Sequence, residues 1–257
     1  FSSVNVSLRQ HFELYANVRP ILSLPGTKSR YQDLDLIVMR ENLEGLYSGQ
    51  GHSVSEDGTR AELKSIITKA GSANIIRHAF ETARKLSRKR VTLVHKANIM
   101  KSTSGLFLNT GREISAAYPD IAFEEMIVDN CAMQLVMNPE RFDIIVTTNL
   151  FGDILSDLCA GLIGGLGLAP GANLGHDHAI FEAVHGSAPD IAGLGIANPT
   201  ALLLATAMML DHLELGDAAT RLRSAIKQTL TQGEYKTSDL GGEASTEQYT
   251  QALVKAL

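Results

Sequence analysis

Short apolar runs alternate along the chain with longer stretches that have helical periodicity. Runs that are apolar on both faces and rich in β-branched residues predict buried strands, at residues 34–39, 91–94 and 144–148. Weaker strands are predicted at residues 121–128 and 179–184. Helices are predicted at residues 61–86, 102–117, 152–162, 199–213 and 217–231, the fourth beginning at an Asn-Pro pair. The alternation of strands and helices indicates an α/β fold.

Two features of the pattern limit the choice among α/β folds. The stretch Gly165-Leu166-Gly167 comes closest to a Gly-x-Gly-x-x-Gly turn, but Pro170 stands where the third glycine would be. A Rossmann dinucleotide site is therefore not supported, and a nicotinamide cofactor would need another binding device. The polar segment 43–60 also interrupts the alternation, and it predicts either a hairpin or an arm between elements.

Composition and charge exclude several classes of protein. The 257 residues carry a formal net charge of −5, whereas a nucleic-acid surface needs clustered excess cations. The one basic cluster, at residues 84–90, suits the C-terminus of a helix. Cys131 and Cys159 form no CxxC pair, which favours free buried thiols. No membrane partner is expected, because the longest apolar run, at residues 201–210, is far shorter than the ~20 residues that span a bilayer.

The first candidate for chemistry is an acidic pair in a predicted helix. Asp153 and Asp157 follow a buried strand and Gly152, and their spacing of four puts both carboxylates on one helix face. Hard oxygen ligands with no His or Cys beside them point to Mg²⁺ or Mn²⁺. The alternative is structural: Asp153 caps the helix and Asp157 is a solvated charge.

Three arginines are candidates for binding carboxylates. Arg9, Arg19 and Arg40 lie in separate segments, and Arg40 ends a predicted strand, where ligands bind in open α/β sheets. Since arginine presents paired N–H donors to a planar carboxylate, three converging arginines would suit a di- or tricarboxylate. For any one of them alone, a surface ion pair is the alternative.

Other polar residues have weaker signals. Lys96 follows the predicted strand at 91–94, where a lysine is either functional or extends its amine to solvent. Tyr47, in the polar segment, is by itself explained by ordinary packing. His176 and His178 could ligate a metal, but exposed loop histidines are the simpler interpretation.

Together these segments resemble the β-decarboxylating dehydrogenase family, which includes isocitrate, 3-isopropylmalate, homoisocitrate and tartrate dehydrogenases. The matching segments are Asn17-Val18-Arg19-Pro20, residues 40–47 (Arg-Glu-Asn, Glu-Gly and Tyr), His95-Lys96-Ala97-Asn98-Ile99-Met100, residues 149–157, residues 164–167 and residues 185–193. They follow the family's order over essentially the whole chain. The family's opening segment, with its Gly-Asp-Gly-Ile-Gly-Pro-Glu turn, does not precede them, and we expect an N-terminally truncated sequence.

The resemblance implies the isocitrate/isopropylmalate dehydrogenase fold: two α/β domains with a large mixed sheet, different from the Rossmann fold. Residues 1–14 would be a remnant of the large domain, and residues 15–163 the small domain, with a dimer-forming arm at about 43–60. Residues 164–257 would be the large domain on the cofactor side. The family also implies a homo-oligomer, at least a dimer with shared active sites. Its location would be the cytoplasm in a bacterium or the mitochondrial matrix in a eukaryote.

The resemblance also assigns roles to residues. Tyr47 would be the proton donor, with Lys96 beside it lowering its pKa. Lys96 and the metal ligand Asp129 would act across the subunit interface, and Asp153 and Asp157 would complete the site for Mg²⁺ or Mn²⁺. The residues expected to bind substrate are Ser3, Asn5, Arg9, Arg19 and Arg40. The residues expected to bind NAD are His185, Gly186, Ala188, Asp190, Ile191 and Asn198.

The implied activity is NAD-dependent oxidative decarboxylation of isocitrate to 2-oxoglutarate and CO₂ in the tricarboxylic acid cycle. Ser3 and Asn5 could donate to a third carboxylate, where isopropylmalate enzymes place apolar residues. Asp190 would accept from the ribose 2′-OH of NAD and repel a 2′-phosphate. The alternatives are a homoisocitrate or 3-isopropylmalate dehydrogenase, a non-catalytic regulatory subunit, and a metal-binding protein without redox chemistry.

Overall fold

The computed structural model describes residues 3–257, and its elements follow the predicted alternation. The helices are α1 Val4–His11, α2 Lys69–Lys85, α3 Thr103–Ser115, α4 Val128–Met137, α5 Asn149–Leu162, α6 Thr200–His212, α7 Gly216–Gln232 and α8 Thr246–Ala256. The strands are β1 Ala16–Leu22, β2 Asp35–Glu41, β3 Ser53–Val54, β4 Ala61–Glu62, β5 Arg90–His95, β6 Ala122–Ile127, β7 Ile144–Thr147, β8 Pro170–Leu174 and β9 Ala179–Ala183.

A seven-stranded sheet has the order β6-β5-β7-β2-β1-β8-β9. The pairs β2–β7, β5–β6 and β5–β7 are parallel. Strands β8 and β9 are neighbours joined by residues 175–178 alone, and because a parallel pair needs a crossover of a dozen or more residues, these two are antiparallel. The sheet is therefore mixed, and the predicted fold class is confirmed.

The middle of the sheet is buried on both faces, as its composition predicts. Every residue of β7 is buried, and Ile144, Ile145 and Val146 have no exposed surface. Helix α2 adds a fully buried face that includes Ile75 and Phe80. Apolar strands of this kind need cover on both sides, which explains why their runs show no alternation of polar and apolar residues.

The five strands predicted from sequence are all present, but one helix begins later than predicted. Residues 61–62 form β4, which pairs with β3 in an antiparallel hairpin, so the hairpin interpretation of segment 43–60 is confirmed in part. Helix α2 starts only at Lys69, where the Thr68 side chain accepts a hydrogen bond from the Gly71 amide. This polar N-cap stabilises a helix start at Lys69, so the residues before Thr68 remain outside the helix.

Apart from the two short strands of the β3–β4 hairpin, five helices and strands were not predicted: α1, α4, α8, β1 and β8. Strands β1 and β8 contain Pro20 and Pro170, and proline removes a ladder donor and weakens a strand signal. Helix α4 follows β6 without a break, so residues 121–128 were assigned to one strand. Helix α8 does have a sequence signal, because Ser245 and Gln248 form a capping box.

The internal contacts of the chain define two units. Unit 1 comprises the chain up to Val18, residues 36–156 and residues 173–179; unit 2 comprises residues 19–35, 157–172 and 180–257. These limits differ from the predicted boundaries at 14 and 163, since they fall within strands and within α5 rather than in loops. The assignment of a small domain and a cofactor-side domain stays a prediction.

Three expectations from composition can be compared with the described residues. Cys131 and Cys159 are buried and form no disulfide, as predicted, and burial raises the pKa of Cys131 to about 12. The basic residues Arg84 and Lys85 occupy the last turn of α2, which confirms the helix-terminus interpretation. Within residues 3–257, no helix is both long enough and apolar enough to cross a membrane.

Candidate active site

The acidic pair lies within α5. Strand β7 ends at Thr147 and α5 begins at Asn149, so Asp153 and Asp157 lie in the second and third turns of the helix. Their spacing keeps both carboxylates on one helix face, and their side chains are 37% and 54% exposed. The alternative that Asp153 caps the helix is wrong, because a capping residue precedes the first turn.

Arg40 is a buried cation in unit 1. At the end of β2 it is only 1% exposed, its Nε donates to Asn149 Oδ1 at 2.9 Å, and it pairs with Asp153. Burial lowers the pKa of Arg40, the charge of Asp153 opposes that shift, and the charge of Arg9 adds to it. A surface ion pair is therefore the wrong interpretation of Arg40, which is a desolvated charge with a second cation near it.

The other predicted substrate residues lie in two places. In unit 2, Arg19 is 6% exposed and pairs with Asp157 at 3.1 Å. In unit 1, Arg9 is half-buried on α1. Ser3 and Asn5 are exposed at the beginning of that helix, where Ser3 is the residue before the first turn. Both hydroxyl and amide can therefore reach a solute.

Tyr47 contacts the same carboxylate as Arg40. It lies in the short 3-10 helix Leu46–Ser48, its hydroxyl donates to Asp153 Oδ2 at 2.7 Å, and the Arg40 guanidinium lies 4.9 Å from its ring centre. Burial raises the pKa of Tyr47, and the hydrogen bond to Asp153 raises it further. The phenol is therefore protonated at neutral pH. Ordinary packing alone does not explain Tyr47, because its hydroxyl is bound to Asp153.

Lys96 is paired with Asp129 rather than with Tyr47. Its Nζ lies 2.7 Å from Asp129 Oδ1, between the end of β5 and the first turn of α4. That hydrogen bond lowers the pKa of Asp129, whose side chain is 68% exposed. The predicted effect of Lys96 on the pKa of Tyr47 is not present within one chain, so it would require the lysine of a second subunit.

The donors of a single chain do not by themselves make the predicted metal site. Among residues 3–257, no group of three His, Cys, Asp or Glu side chains could hold a metal ion. Asp153 and Asp157 supply hard oxygen ligands that suit Mg²⁺ or Mn²⁺, but a third carboxylate would have to come from another chain. His176 and His178 are exposed, and their rings lie 5.1 Å from Tyr15 and 5.0 Å from Phe12, so the simpler interpretation applies to them.

The predicted cofactor residues line a cavity in unit 2. Its volume is about 870 Å³, and its walls include five of the six predicted residues: His185, Gly186, Ala188, Ile191 and Asn198. The sixth, Asp190, is exposed in the 3-10 helix that ends at Ile191, and it is not among the lining residues. Ala188 has φ +41°, a left-handed conformation that costs a non-glycine residue about 1 kcal/mol.

Asn198 is fixed at one wall of this cavity. Its Nδ2 donates to Asp239 Oδ2 at 2.9 Å, and its Oδ1 accepts from the Thr200 amide at 2.9 Å, at the start of α6. A side chain at Gly167 would place its Cβ 2.8 Å from Asp239 Oδ2. The glycine stretch that fails as a Rossmann turn therefore makes room for this hydrogen bond.

Three residues beside these groups have no role that their place in the sequence indicates: Glu41, Asn149 and Asp239. Glu41 and Asn149 lie inside family segments, but nothing in a linear pattern shows that their side chains turn inward. Asp239 lies in a short 3-10 helix that was not predicted. For Glu41 the sequence does offer one signal of a special role, since an acid directly follows an apolar strand. Asn149 and Asp239 have no comparable signal.

The fold and these residues agree with one class of protein. A large mixed sheet without a Rossmann turn, a buried arginine and a tyrosine on one carboxylate, and a cavity lined by the His-Gly-Ser-Ala stretch are the combination expected of a decarboxylating dehydrogenase. That class is the one to which the chain belongs.

Within this class, similarity to known sequences and structures defines the family. The family model described as isocitrate/isopropylmalate dehydrogenase matches residues 2–256, and the chain belongs to that family. The crystal structure of isocitrate dehydrogenase from Methylococcus capsulatus superposes with a TM-score of 0.97 at 56% identity, covering 100% of this chain and 77% of that one. The resemblance stated from the sequence and the prediction of an enzyme are thereby confirmed.

Two curated relatives have different roles in their names. A catalytic subunit of the mitochondrial NAD isocitrate dehydrogenase of Arabidopsis thaliana is 54% identical over 252 residues, which are 98% of this chain and 67% of the relative. One regulatory subunit of the mitochondrial NAD isocitrate dehydrogenase of Dictyostelium discoideum is 52% identical over 256 residues, 99% of this chain and 72% of the relative. The sequence identity to these relatives therefore does not decide whether this chain is a catalytic or a regulatory subunit.

Proposed function

We propose that the protein catalyses NAD-dependent oxidative decarboxylation of isocitrate to 2-oxoglutarate and CO₂, as a step of the tricarboxylic acid cycle. The observation that carries the proposal is Arg40, a desolvated cation with the charge of Arg9 near it. An anion that binds two neighbouring cations offsets the repulsion between them. A carboxylate is suited to this role because its two oxygens match the planar guanidinium. Arg19, buried and paired with Asp157, is proposed as the third carboxylate-binding arginine.

Acid–base chemistry is assigned to Tyr47 and Lys96. With its pKa raised, Tyr47 holds its proton at neutral pH and can deliver it to the carbon from which CO₂ has left. Lys96, from a second subunit, would take up the hydroxyl proton or assist Tyr47. Asp153 and Asp157, with Asp129 of a second copy, would hold Mg²⁺ or Mn²⁺, which supplies a Lewis acid for the substrate oxygens.

The choice of isocitrate rests on the start of α1. Ser3 and Asn5 are polar and exposed, so they can donate to a third carboxylate. An isopropyl group there would leave these donors unpaired, and a polar site discriminates strongly against an analogue that cannot satisfy it. Homoisocitrate, one methylene longer, is the alternative substrate that these residues exclude least.

The choice of NAD rests on the cavity in unit 2 and on Asp190. The cavity is large enough for the adenosine half of a dinucleotide, and His185 and Asn198 are proposed to contact the adenine. Asp190 stands beside the lining residue Ile191, where a carboxylate would accept from a ribose hydroxyl and repel a 2′-phosphate.

A homodimer is proposed because unit 1 presents an apolar helix face. On α4, Met133, Val136 and Met137 are 50%, 39% and 61% exposed, and their spacing puts them on one side of the helix. On α5, Ile154 is 56% exposed, and it lies next to Asp153 in the sequence. A second copy covering these residues would also bring its own Lys96 and Asp129 to the site.

We propose the mitochondrial matrix as the location if the protein is eukaryotic, as in the names of the two relatives, and the cytoplasm if it is bacterial.

The test is NADH formation that depends on isocitrate and stops when EDTA removes the divalent cation. Arg40→Gln should raise the KM for isocitrate by roughly 100-fold or more, because a buried charge-assisted contact is lost. Arg84→Gln is the matched control, since Arg84 is exposed and pairs with Asp120 away from these residues. Higher activity with 3-isopropylmalate would refute the substrate assignment, preference for NADP⁺ would refute the role of Asp190, and ligand binding without turnover would favour a regulatory subunit.

A further inference from the structure

The side chain of Asn149 connects two groups of the proposed active site. Asn149 is the first residue of α5 and is 1% exposed. Its Oδ1 accepts from Arg40 Nε at 2.9 Å, and its Nδ2 donates to the main-chain oxygen of Glu44 at 3.1 Å. These two partners fix the orientation of the amide, since only its oxygen can accept and only its nitrogen can donate.

The bond to Arg40 sets the plane of the guanidinium. With Nε held by Asn149 and one terminal nitrogen held by Asp153, the remaining N–H groups of Arg40 are left in a fixed direction. Gly152 supports this arrangement, because a Cβ at that position would lie 2.5 Å from Arg40 Cβ. Arg40 is thus held along its length by the first two turns of α5.

The bond to Glu44 sets the base of the turn that carries Tyr47. Gly45 follows with φ +75°, a left-handed conformation that glycine adopts without strain, and the 3-10 helix Leu46–Ser48 begins directly after it. The Tyr47 hydroxyl then reaches Asp153 at 2.7 Å. A shift of the Glu44 carbonyl would move the tyrosine along with the turn.

We propose that Asn149 is a positioning residue that sets carboxylate binding by Arg40 and proton delivery by Tyr47 through one buried amide. The inference rests on the proposed function, since it assigns a role within that active site. In this role Asn149 acts through Arg40 and through the turn at Glu44, the two partners that bind its side-chain oxygen and nitrogen. Its two hydrogen bonds go to these groups and not to its own helix, which distinguishes it from a capping asparagine.

The experiment is a pair of double-mutant cycles. Asn149→Ala should lower kcat roughly 10- to 100-fold, because misplacing a catalytic group by ~1 Å costs about that much. It should also raise the KM for isocitrate roughly tenfold, since a hydrogen bond to a charged group is lost. In a Tyr47→Phe background the effect on kcat should disappear, and in an Arg40→Lys background, which lacks Nε, the effect on KM should disappear.

A control and an independent measurement complete the test. Thr229→Ala removes a buried hydroxyl from α7, in unit 2. It should lower stability but leave both KM and kcat of the folded protein unchanged. By NMR, the Nε–H of Arg40 should exchange slowly with solvent in the wild type and rapidly in Asn149→Ala. Equal losses of activity in all backgrounds, or an Arg40 Nε–H that stays protected in Asn149→Ala, would overturn the proposal. If the wild type does not oxidise isocitrate, the proposed function fails, and the exchange measurement still decides whether Asn149 holds Arg40.

Discussion

At the scale of the residue, Glu41 shows how burial changes a titration. It ends β2 with 2% of its surface exposed, and its carboxylate accepts hydrogen bonds from the amides of Leu43 and Glu44 at 2.8 and 2.9 Å. Burial raises its pKa from 4.5 to about 7, although these two amides oppose the shift. The acid is therefore protonated in the folded protein at a pH at which it is ionised in the unfolded chain.

The consequence is a stability contribution that disappears as the pH rises. Below pH 4.5 both states of the protein hold the proton; between 4.5 and about 7 only the folded state does. Rising pH therefore lowers the free energy of unfolding across this window, by up to about 3 kcal/mol for a shift of this size. The loss is complete above the folded-state pKa.

Glu41→Gln should remove this dependence, because glutamine does not titrate. We expect the difference in the free energy of unfolding, wild type minus variant, to fall as the pH rises from 4.5 to about 7. Urea unfolding at a series of pH values measures it. Glu140→Gln, at a remote exposed acid, serves as the control and should leave the pH dependence of the wild type unchanged. A constant difference for Glu41→Gln across the window would show that the acid titrates normally.

At the scale of the element, α8 depends on a reciprocal cap. Ser245 Oγ accepts from the Gln248 amide at 3.1 Å, and Gln248 Oε1 accepts from the Ser245 amide at 2.9 Å. The helix buries Tyr249 and Leu253, so its start determines how these side chains enter the core of unit 2. Removing the serine hydroxyl would leave the Gln248 amide without its acceptor, and the helix start would then depend on the bond from the Ser245 amide to Gln248 alone.

Ser245→Ala should destabilise the protein by about 1 kcal/mol, the usual cost of losing an N-cap. Thermal unfolding measures the loss. The matched control is Thr250→Ala in the same helix, where an exposed hydroxyl bonds only to the previous turn and its removal should cost less than about 0.5 kcal/mol. Equal effects of the two substitutions would contradict a special role for the cap.

At the scale of the whole molecule, the exposed apolar face of α4 determines the expected assembly. Met137→Asp would place a charge in the proposed interface, which costs several kcal/mol when the charge is desolvated. We expect the variant to be monomeric in sedimentation experiments and to lose turnover, because Lys96 and Asp129 would no longer reach a second active site. Val254→Asp, at an equally exposed position on α8, should remain dimeric. A dimeric Met137→Asp variant would contradict the interface, and circular dichroism would distinguish dissociation from unfolding.

Much of the fold and of the site could be predicted because the relevant signals are local. Apolar runs without alternation identified β2, β5 and β7, and the Asp153–Asp157 spacing placed both acids on one face of α5. The predictions failed where neighbouring signals competed. Pro20 and Pro170 concealed β1 and β8, and the direct passage from β6 to α4 left no turn residue to mark the boundary.

The sequence by itself determined the family, the α/β class, the residue types of the site and the one-face spacing of its acids, because all of these depend on order and periodicity along the chain. Only the tertiary structure decided that Arg40 is desolvated, that Tyr47 shares Asp153 with it, that Lys96 pairs with Asp129, and that Asn149 joins Arg40 to the turn at Glu44. These contacts join residues up to 113 positions apart. Burial and hydrogen-bond partners at such separations are created by the packing of strands and helices, which no local pattern records.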